Sequence, residues 1–262
     1  MKDILGVAID AASEAGAFLL ARQGSVRSVE AKADRSLVTD VDREAEQIIV
    51  ERIESVFPGH DIVGEERAAT DRGSEYRWII DPLDGTHNYL RGIGSFGVSI
   101  GIRRGKEFFA GIVFLPQTDA LYAAERGSGA FRNSERIRVS RRSDLSACSV
   151  AFDSDMRRDS DAKLPALGRL AATVFNVRVL GSSARVLTHV AEGALDAAVE
   201  FDDRIWDFAA GIVIVEEAGG RVTTFSGDAM PDASSGYVAS NGLVHERVRA
   251  TALPPLRRPT LH

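Results

Sequence analysis

Two stretches near the start of the chain repeat apolar residues at the spacing of an amphipathic helix. Between residues 3 and 22 the apolar positions lie three or four residues apart, and Gly24 follows as a stop signal. A second helix is predicted to begin at residues 39–42, where acids favour a first turn, and to end before Pro58 and Gly59. The chain therefore begins with two helices.

Short apolar runs separated by turn residues replace this spacing after residue 60. Two of them, "DIVGEE" and "RWIID", predict strands that each deliver carboxylates at the C-terminal end. Three more predict antiparallel strands joined by hairpins: "SFGVSIGI", "FFAGIVFLP" and "ALYAAE". Residues 1–146 are therefore predicted to form an α+β half with an antiparallel sheet.

From about residue 147 the pattern changes to strands that alternate with helices. Strands predicted at 147–152, 177–181 and 195–201 are separated by helical segments, and the most apolar helix is "WDFAAGIVIVEEAGG". This order is typical of βαβ units, so residues 147–262 are predicted to form an α/β half. Because no long linker separates the halves, we expect residues 1–262 to form one catalytic unit.

Composition narrows the class of protein and its compartment. The 262 residues include a single cysteine, Cys148, which excludes a disulfide within the chain and favours a reducing compartment. Acids interrupt the apolar N-terminal segment, and nowhere do about eighteen apolar residues run together. We therefore predict a cytoplasmic protein without a signal peptide or a membrane span.

The charge balance argues against a nucleic-acid partner. The formal net charge is −6, whereas nucleic-acid-binding domains usually present a strongly basic face. The most basic stretch, "FRNSERIRVSRRSD" at residues 131–144, mixes arginines with acids and apolar residues, as the solvated edge of a sheet does. A bound anion would therefore need positive charge from a local source.

The segment "WIIDPLDGT" places two acids where a buried strand should end. Buried together, Asp81 and Asp84 would repel, so they need protonation, basic partners or a cation. Mg²⁺ takes carboxylate and carbonyl oxygens, and the Leu83 carbonyl lies between the two acids. The amides of Gly85 and Thr86, at the start of a short helix, would face a phosphate. The alternative is a surface turn in which Asp84 bonds to its own backbone.

Other acids follow apolar runs or begin helices far away along the chain. They are Glu65 and Glu66 in "VGEE", Asp40 and Asp42 in "VTDVD", and Asp207 in "WD". Singly, each could be a helix cap or a solvated side chain. Together with the "DPLDGT" turn they favour a metal site built from several carboxylates.

Three of these segments together, "GEE", "WIIDPLDGT" and "WDFAAGIVIVEEAGG", resemble the signature motifs of the inositol monophosphatase family of Mg²⁺-dependent, lithium-sensitive sugar phosphatases. The resemblance runs from the first helix to "VASN" at residues 238–241. It implies a layered αβαβα sandwich of the inositol monophosphatase and fructose-1,6-bisphosphatase type. It also implies a homodimer, with exposed apolar residues on strands at 96–125 as its expected interface.

The resemblance further implies Mg²⁺ as cofactor, with two or three ions. Glu65, Asp81 and the Leu83 carbonyl would bind the first ion. Asp81, Asp84 and Asp207 would bind the second, so Asp81 would bridge the two. A third, weaker position would lie near Glu65 and its neighbour in "GEE".

The catalytic roles implied by the resemblance fall on three residues. Glu66 would help to hold the attacking water at the third metal position. Thr86, paired with Asp42, would orient and deprotonate that water. Hydrolysis would then proceed by direct attack on phosphorus, without a covalent phosphoenzyme.

The implied substrate contacts come from both halves of the chain. They are Asp84, Gly85, Thr86, Gly181, Ser182, Ser183, Glu200 and Asp207. The segment "FDDRI" after Glu200 is more charged than is usual in the family. Its Arg204 could reach a second phosphate, or could pair with Asp202 or Asp203 at the surface.

Four further residues have structural interpretations. His87 is predicted to lie on a helix surface, and Cys148 is predicted to lie in the core because no basic cluster would activate it. Trp78 and Trp206 are predicted to pack behind the acids and hold them in place.

The favoured function is hydrolysis of a small-molecule phosphate ester, with inositol 1-phosphate as the first substrate. Alternatives within the family are fructose 1,6-bisphosphate, histidinol phosphate and 3′-phosphoadenosine 5′-phosphate. Aspartyl-nucleophile phosphatases are another enzyme class, but their "DxDGT" motif has one residue between the acids where this chain has two. A regulatory or RNA-machinery partner without activity is the third alternative.

Overall fold

The computed structural model describes residues 3–32 and 37–253. Both predicted N-terminal helices are confirmed, as α1 (Ile4–Arg22) and α2 (Asp40–Val56). Between them, β1 (Val29–Ala31) and β2 (Leu37–Thr39) pair antiparallel. A capping box formed by Thr39 and Asp42 begins α2, so one of the two acids at this helix start caps it.

The first large sheet, as far as the structure describes it, has the order β3-β4-β5-β6-β7-β8-β9. Its strands are β3 (Asp61–Gly64), β4 (Tyr76–Asp84), β5 (Gly97–Arg104), β6 (Glu107–Leu115), β7 (Ala120–Glu125), β8 (Gly129–Arg132) and β9 (Glu135–Arg136), with the short helix α3 (Thr86–Leu90) after β4. Only the first pair, β3 with β4, is parallel in this sheet. The predicted strands are confirmed, but β4 continues past Asp81 to Asp84 through an irregularity in its pairing.

The remaining elements build a second sheet and its helices. They are β10 (Ser149–Phe152), α4 (Ser160–Ala171), β11 (Asn176–Arg178), α5 (Ser183–Ala191), β12 (Ala197–Asp203), α6 (Ile205–Glu217), β13 (Arg221–Thr223), β14 (Ser235–Ser240) and α7 (His245–Ala252). The sheet order in the described residues is β11-β10-β12-β14-β13. The parallel strands β11, β10 and β12 confirm the βαβ pattern, whereas β14 and β13 add antiparallel pairs.

In the described part of the chain, buried apolar residues form three clusters between five layers. One cluster lies between the helix pair α1 and α2 and the first sheet. The second joins the two sheets around α5 and α6, and the third packs α4 and α7 on the outer face of the second sheet. The order of layers is therefore helix, sheet, helix, sheet, helix, which confirms the predicted αβαβα sandwich.

Close packing sets the position of α6 on the first sheet. A Cβ atom at Gly111 would lie 2.2 Å from the Ala210 carbonyl oxygen, and one at Gly101 would lie 2.5 Å from the Ala209 Cβ. Only glycine lets the helix backbone approach the strands this closely. Because the first turn of α6 carries Asp207, these contacts also position that carboxylate.

Helix α1 is, among the described helices, the one long and apolar enough to cross a membrane by length and composition alone. Its alanine-rich face is buried against α2 and the first sheet, through Ala8, Ala11, Ala12 and Ala15. This face thus has a partner inside the fold. The cytoplasmic location stays a prediction.

The prediction of exposed apolar residues on the strands at 96–125 is wrong. Helices α1 and α6 cover the two faces of β5 and β6, so the apolar side chains of these strands are buried, except for the half-buried Phe109. Large exposed hydrophobic residues in the described part of the chain lie elsewhere: Leu20, Val29, Ile93, Leu164, Phe175, Val179 and Leu243. The homodimer stays a prediction, and exposed apolar residues on these strands do not support it.

Two predictions away from the carboxylates are confirmed. Cys148 is fully buried, and burial raises its pKa to about 11, so its thiol is a core group. The arginine-rich stretch includes β9, the last strand of the first sheet, whose Glu135 and Arg136 are exposed. It is therefore a solvated sheet edge.

We expect Gly111→Ala to lower the free energy of unfolding by about 1–3 kcal/mol, because the added methyl group would collide with the α6 backbone. Gly168→Ala is the matched control. A Cβ there meets no atom within 4 Å, and alanine favours the exposed α4 helix by about 0.5–1 kcal/mol. Urea unfolding of both variants measures the difference, and equal stabilities would contradict the close α6 contact.

Candidate active site

Parallel pairing of β3 with β4 brings the "GEE" and "DPLD" segments together. Gly64 is in register with Ile80, and the Glu65 amide donates to the Ile80 carbonyl at 3.2 Å. The next residue of β4 is Asp81, which is 2% exposed and accepts a hydrogen bond from the Leu83 amide at 3.0 Å. Glu65 and Asp81, which are predicted to bind the same ion, therefore lie at neighbouring positions of two paired segments.

Asp84 joins the first sheet to the N-terminus of α5. Its carboxylate accepts from the Ser182 hydroxyl at 2.5 Å, the Ala184 amide at 2.7 Å and the Ser183 amide at 3.2 Å. A carboxylate is favourable at this position because the first amides of a helix lack partners within the helix. The surface turn considered as an alternative is wrong, since Asp84 is buried and bonds to another segment.

Two helix-capping carboxylates belong to the same region. Asp207 accepts from the Arg204 amide at 2.7 Å at the start of α6. Asp42 accepts from the Thr39 amide at 2.9 Å and, through its other oxygen, from the Thr86 hydroxyl at 2.9 Å. Both acids are thus helix caps, and the contact predicted between Thr86 and Asp42 is present.

A cleft of about 1400 Å³ brings most of the predicted residues together. Those that line it are Glu65, Asp81, Leu83, Asp84, Gly85, Thr86, Gly181 and Asp207. A smaller recess of about 170 Å³ shares Asp84, Gly181 and Asp207 with the cleft and adds Ser182, Ser183 and Glu200. Asp42 does not line the cleft but contacts it through the Thr86 hydroxyl. Asp40 lies outside this group and accepts from the amides of Arg27 and Ser28.

The carboxylates of this cleft are so close together that ionising all of them has a high free-energy cost. Burial, and then the charges of Glu65, Asp84 and Asp207, raise the pKa of Asp81 well above its ordinary value. Burial and the charges of Asp203 and Asp84 likewise raise the pKa of Asp207. Burial raises the pKa of Glu65 to about 7 and that of Asp84 to about 6. The cleft therefore favours a cation.

Sequence reasoning missed one cation that the fold supplies. The Lys32 ammonium contacts Glu65 Oε1 at 2.7 Å and Glu66 Oε1 at 2.6 Å. Lys32 lies 33 and 34 residues before these acids, beside β1, and only the fold brings it there. No spacing in the sequence connects it with "GEE".

The chemistry of the donors fits Mg²⁺, which prefers carboxylate and carbonyl oxygens. Among the described residues, no group of three or more His, Cys, Asp and Glu side chains is arranged to hold an ion as it stands. The carboxylates face protein donors instead: Lys32 for Glu65, Leu83 for Asp81, the start of α5 for Asp84, and Arg204 for Asp207. They converge on one cleft, and metal binding stays a prediction.

The segment after β11 is held against α3. The Asn88 side-chain amide donates to the carbonyls of Leu180 and Gly181 at 2.8 and 3.1 Å. Gly85 has a φ of 88°, and a Cβ there would lie 2.8 Å from the Ser95 carbonyl oxygen, so glycine is required. These contacts hold the "DGT" and "LGSS" segments side by side.

The charged segment after Glu200 is paired differently from the prediction. Asp202 pairs with Arg158 at 2.5 Å, and Asp203 accepts from the Ser183 hydroxyl at 2.7 Å. These two acids therefore have partners other than those predicted, and the role of Arg204 stays a prediction.

His87 and Trp206 line the cleft, whereas Trp78 lies in the core. His87 is exposed, as predicted. Trp78 is fully buried in the core beneath β4, and its Nε1 donates to His60 Nδ1 at 3.0 Å. Trp206 is half-buried and lines the cleft beside Asp207. It therefore lies next to the acids, whereas the prediction placed it behind them.

Comparison with known proteins agrees with this geometry. The sequence profile described as "Inositol monophosphatase family" matches residues 1–255. A protein of Aquifex aeolicus named fructose-1,6-bisphosphatase/inositol-1-monophosphatase is 40% identical over 256 residues, which are 96% of each chain. The Nus factor SuhB of Vibrio cholerae is 37% identical over 247 residues, which are 92% of each chain. The crystal structure of the extragenic suppressor protein suhB from Bartonella henselae has a TM-score of 0.91 and 35% identity, over 95% of this chain and 98% of that one.

We expect the metal-free protein to lose thermal stability as the pH rises from about 5 to about 8. The carboxyls of Asp84 and Glu65 have ordinary pKa values of 3.8 and 4.5 and folded values of about 6 and about 7. Their stabilising contribution is complete below the ordinary values and is lost as the pH rises through the folded ones. Melting temperatures in chelator across this range test the trend, and a constant or rising midpoint would contradict it.

Millimolar Mg²⁺ should restore stability at about pH 8, because a ligand that binds only the folded state stabilises it. Asp81→Asn should melt a few degrees above the parent protein in chelator, since it removes one repelling charge, and should respond little to Mg²⁺. Asp119→Asn, at an exposed left-handed position that asparagine tolerates, is the control and should behave like the parent. No response of the parent midpoint to Mg²⁺ would argue against a cation site in the folded state.

Proposed function

The chain belongs to the inositol monophosphatase family, and from this membership we propose that it is a Mg²⁺-dependent phosphomonoesterase of small polyol or sugar phosphates, with inositol 1-phosphate as the first substrate. The observation that carries the proposal is the meeting of Glu65, Asp81, Asp84 and Asp207 in one cleft. These residues come from three segments far apart in the chain, and they lie beside the hydrogen-bonded pair of Thr86 and Asp42.

The carboxylates of Glu65, Asp81, Asp84 and Asp207, with the Leu83 carbonyl, would hold two or three Mg²⁺ ions. Bound Mg²⁺ would supply positive charge that polarises the phosphoryl group and lowers the pKa of a water molecule. The raised pKa values of these acids support this assignment, because a bound cation would relieve the repulsion that raises them.

Thr86 and Asp42 are suited to remove a proton from that water. The Thr86 hydroxyl lies 2.9 Å from Asp42 Oδ1 and 3.1 Å from the Leu83 carbonyl oxygen, both of which only accept. Its single proton therefore points to one of them, and its lone pairs can accept from water. As water gives a proton to Thr86, Thr86 gives its own to Asp42, whose pKa is raised by burial.

The remaining bond changes need no covalent intermediate. The water oxygen forms a bond to phosphorus while the bond from phosphorus to the alcohol oxygen breaks, and the alcohol leaves with a proton from solvent. Glu66, held beside the cleft by Lys32, would help to place the attacking water. Gly85 and Thr86 would face the phosphate.

The recess beside the carboxylates supports a position for the alcohol part of the substrate. Gly181, Ser182 and Ser183 line it at the start of α5, and Glu200 lines it from β12. Fructose 1,6-bisphosphate, named for the Aquifex relative, histidinol phosphate and 3′-phosphoadenosine 5′-phosphate remain alternatives that a substrate panel decides.

A regulatory function is the second candidate, because one relative is named a Nus factor. The presence of Glu65, Asp81, Asp84 and Asp207 favours an enzyme, although an enzyme can also bind a partner. A stoichiometric protein partner in a pull-down, together with no phosphate release from any ester, would support the regulatory candidate. The aspartyl-nucleophile class has no support from the family match.

We expect phosphate release from inositol 1-phosphate to require Mg²⁺ and to be inhibited by Li⁺. Asp81→Asn and Asp207→Asn should each lower kcat by about 10²-fold or more, because each removes a charged ligand that contributes several kcal/mol. Asp119→Asn should keep the parent rate. Near-normal turnover of Asp207→Asn at saturating Mg²⁺ would show that the metal assignment is wrong.

We expect Thr86→Val to lower kcat by about 10²–10⁴-fold, because valine has the shape of threonine but cannot pass a proton to Asp42. Thr86→Ser is the matched variant and should stay within about tenfold of the parent, since it keeps the hydroxyl. Steady-state rates measure the difference, and equal melting temperatures exclude unfolding as its cause. Equal rates of the two variants would exclude the proposed proton transfer.

A further inference from the structure

Helix α2 carries a second buried acid one turn after Asp42. Glu46 is 2% exposed and lies four residues after Asp42, on the same buried face of the helix. Burial raises its pKa, so keeping an acid at this position costs the folded protein stability. Glu46 does not line the cleft, and no step of the proposed hydrolysis uses it.

The carboxyl group of Glu46 contacts the backbone of the "GEE" segment. Its Oε2 accepts a hydrogen bond from the Glu66 amide at 2.8 Å. Its Oε1 is buried and has no hydrogen-bond partner among the described residues. The bond from the Glu66 amide is therefore the polar contact through which this carboxyl group can act on the site.

Gly64, at the end of β3, leaves the space that this contact needs. A Cβ atom at Gly64 would lie 2.4 Å from Glu46 Oε1 and 2.6 Å from the Glu46 carboxyl carbon. Non-bonded heavy atoms pack at about 3.5–4.0 Å, so a side chain at position 64 would push the carboxyl group away. The glycine of "VGEE" and the acid of α2 are therefore matched in shape.

Glu65 lies between two amides that the fold holds in place. Its own amide donates to the Ile80 carbonyl of β4 at 3.2 Å, and the amide that follows it donates to Glu46 of α2. The side chains of Glu65 and Glu66 then both reach Lys32. Fixing the backbone on both sides of a ligand restricts the directions that its carboxylate can take.

We propose that Glu46 is a positioning residue of the metal site: its carboxyl oxygen holds the Glu66 amide and thereby presents Glu65 and Glu66 to Mg²⁺. This inference rests on the proposed function, in which Glu65 is a ligand of the first ion. The position requires an acceptor oxygen at this reach, whereas the negative charge of Glu46 is not required. Without the acceptor, the Glu66 amide loses its partner and the segment after β3 is held on one side only.

Two conservative substitutions separate reach from charge. Glu46→Gln keeps an acceptor oxygen at the same distance and loses the charge, whereas Glu46→Asp keeps the charge and shortens the side chain by one C–C bond, about 1.5 Å. We expect Glu46→Gln to bind Mg²⁺ with a Kd within about threefold of the parent value, and Glu46→Asp to raise that Kd about tenfold or more. Isothermal titration calorimetry with Mg²⁺ on the chelator-stripped full chain measures both, without any need for turnover.

Gly64→Ala tests the same contact from the other side. The added methyl group would displace the Glu46 carboxyl group, so the Kd for Mg²⁺ should rise as in Glu46→Asp. Glu51→Asp is the matched control, because it makes the same change at an exposed position of α2 whose partner is Gln47, and it should keep the parent Kd. Melting temperatures in chelator check that each variant is folded.

Two results would overturn the inference and leave the phosphatase intact. An unchanged Kd in Glu46→Asp or in Gly64→Ala, even with a lower melting temperature, would give Glu46 a structural role only. A larger loss of Mg²⁺ affinity in Glu46→Gln than in Glu46→Asp would show that the charge, and not the acceptor, is required.

Failure of the proposed function would look different. No Mg²⁺ binding by the parent protein would overturn the metal assignment, and the inference with it. The expected order of Kd values, together with no phosphate release from any ester, would overturn the phosphatase and support the positioning role of Glu46.

Discussion

Repulsion between carboxylates buried where the two sheets meet is the constraint on which the rest of this structure depends. Asp81 is buried and Asp207 is half-buried among neighbouring acids, and both desolvation and those charges oppose their ionisation. The only lysine at the cleft, among the described residues, reaches Glu65 and Glu66 and leaves the deeper acids without a cation. Such a cluster is expensive for a folded protein unless a cation or a protonated partner completes it.

The fold compensates part of this cost with backbone donors. Asp84 accepts from the start of α5, Asp207 from the start of α6, and Asp42 from the start of α2. Each acid therefore stabilises a helix end and also lies in or next to the cleft. These residues can therefore cap a helix and also lie at the cleft. The hydrogen bonds of the cap fix the position of each carboxylate.

Contacts between the halves then determine the shape of the site. Asp84 bonds across to α5, Asn88 bonds to the carbonyls before α5, and glycines in β5 and β6 admit α6 against the sheet. A bulge in β12 adds Glu200 and Asp203 to the same recess. The recess proposed for the substrate therefore lies at the interface between layers, where residues from both sheets meet.

The sequence by itself determined the helices, most strands and the acids at their ends, because helical and strand spacing and capping preferences are local. It also predicted that β3 and β4 would each end in carboxylates. Only the tertiary structure decided that Lys32 pairs with Glu65 and Glu66, that Asp84 caps α5, and that both faces of β5 are covered. These contacts join residues tens of positions apart, and no local spacing encodes which distant segments the layers bring together.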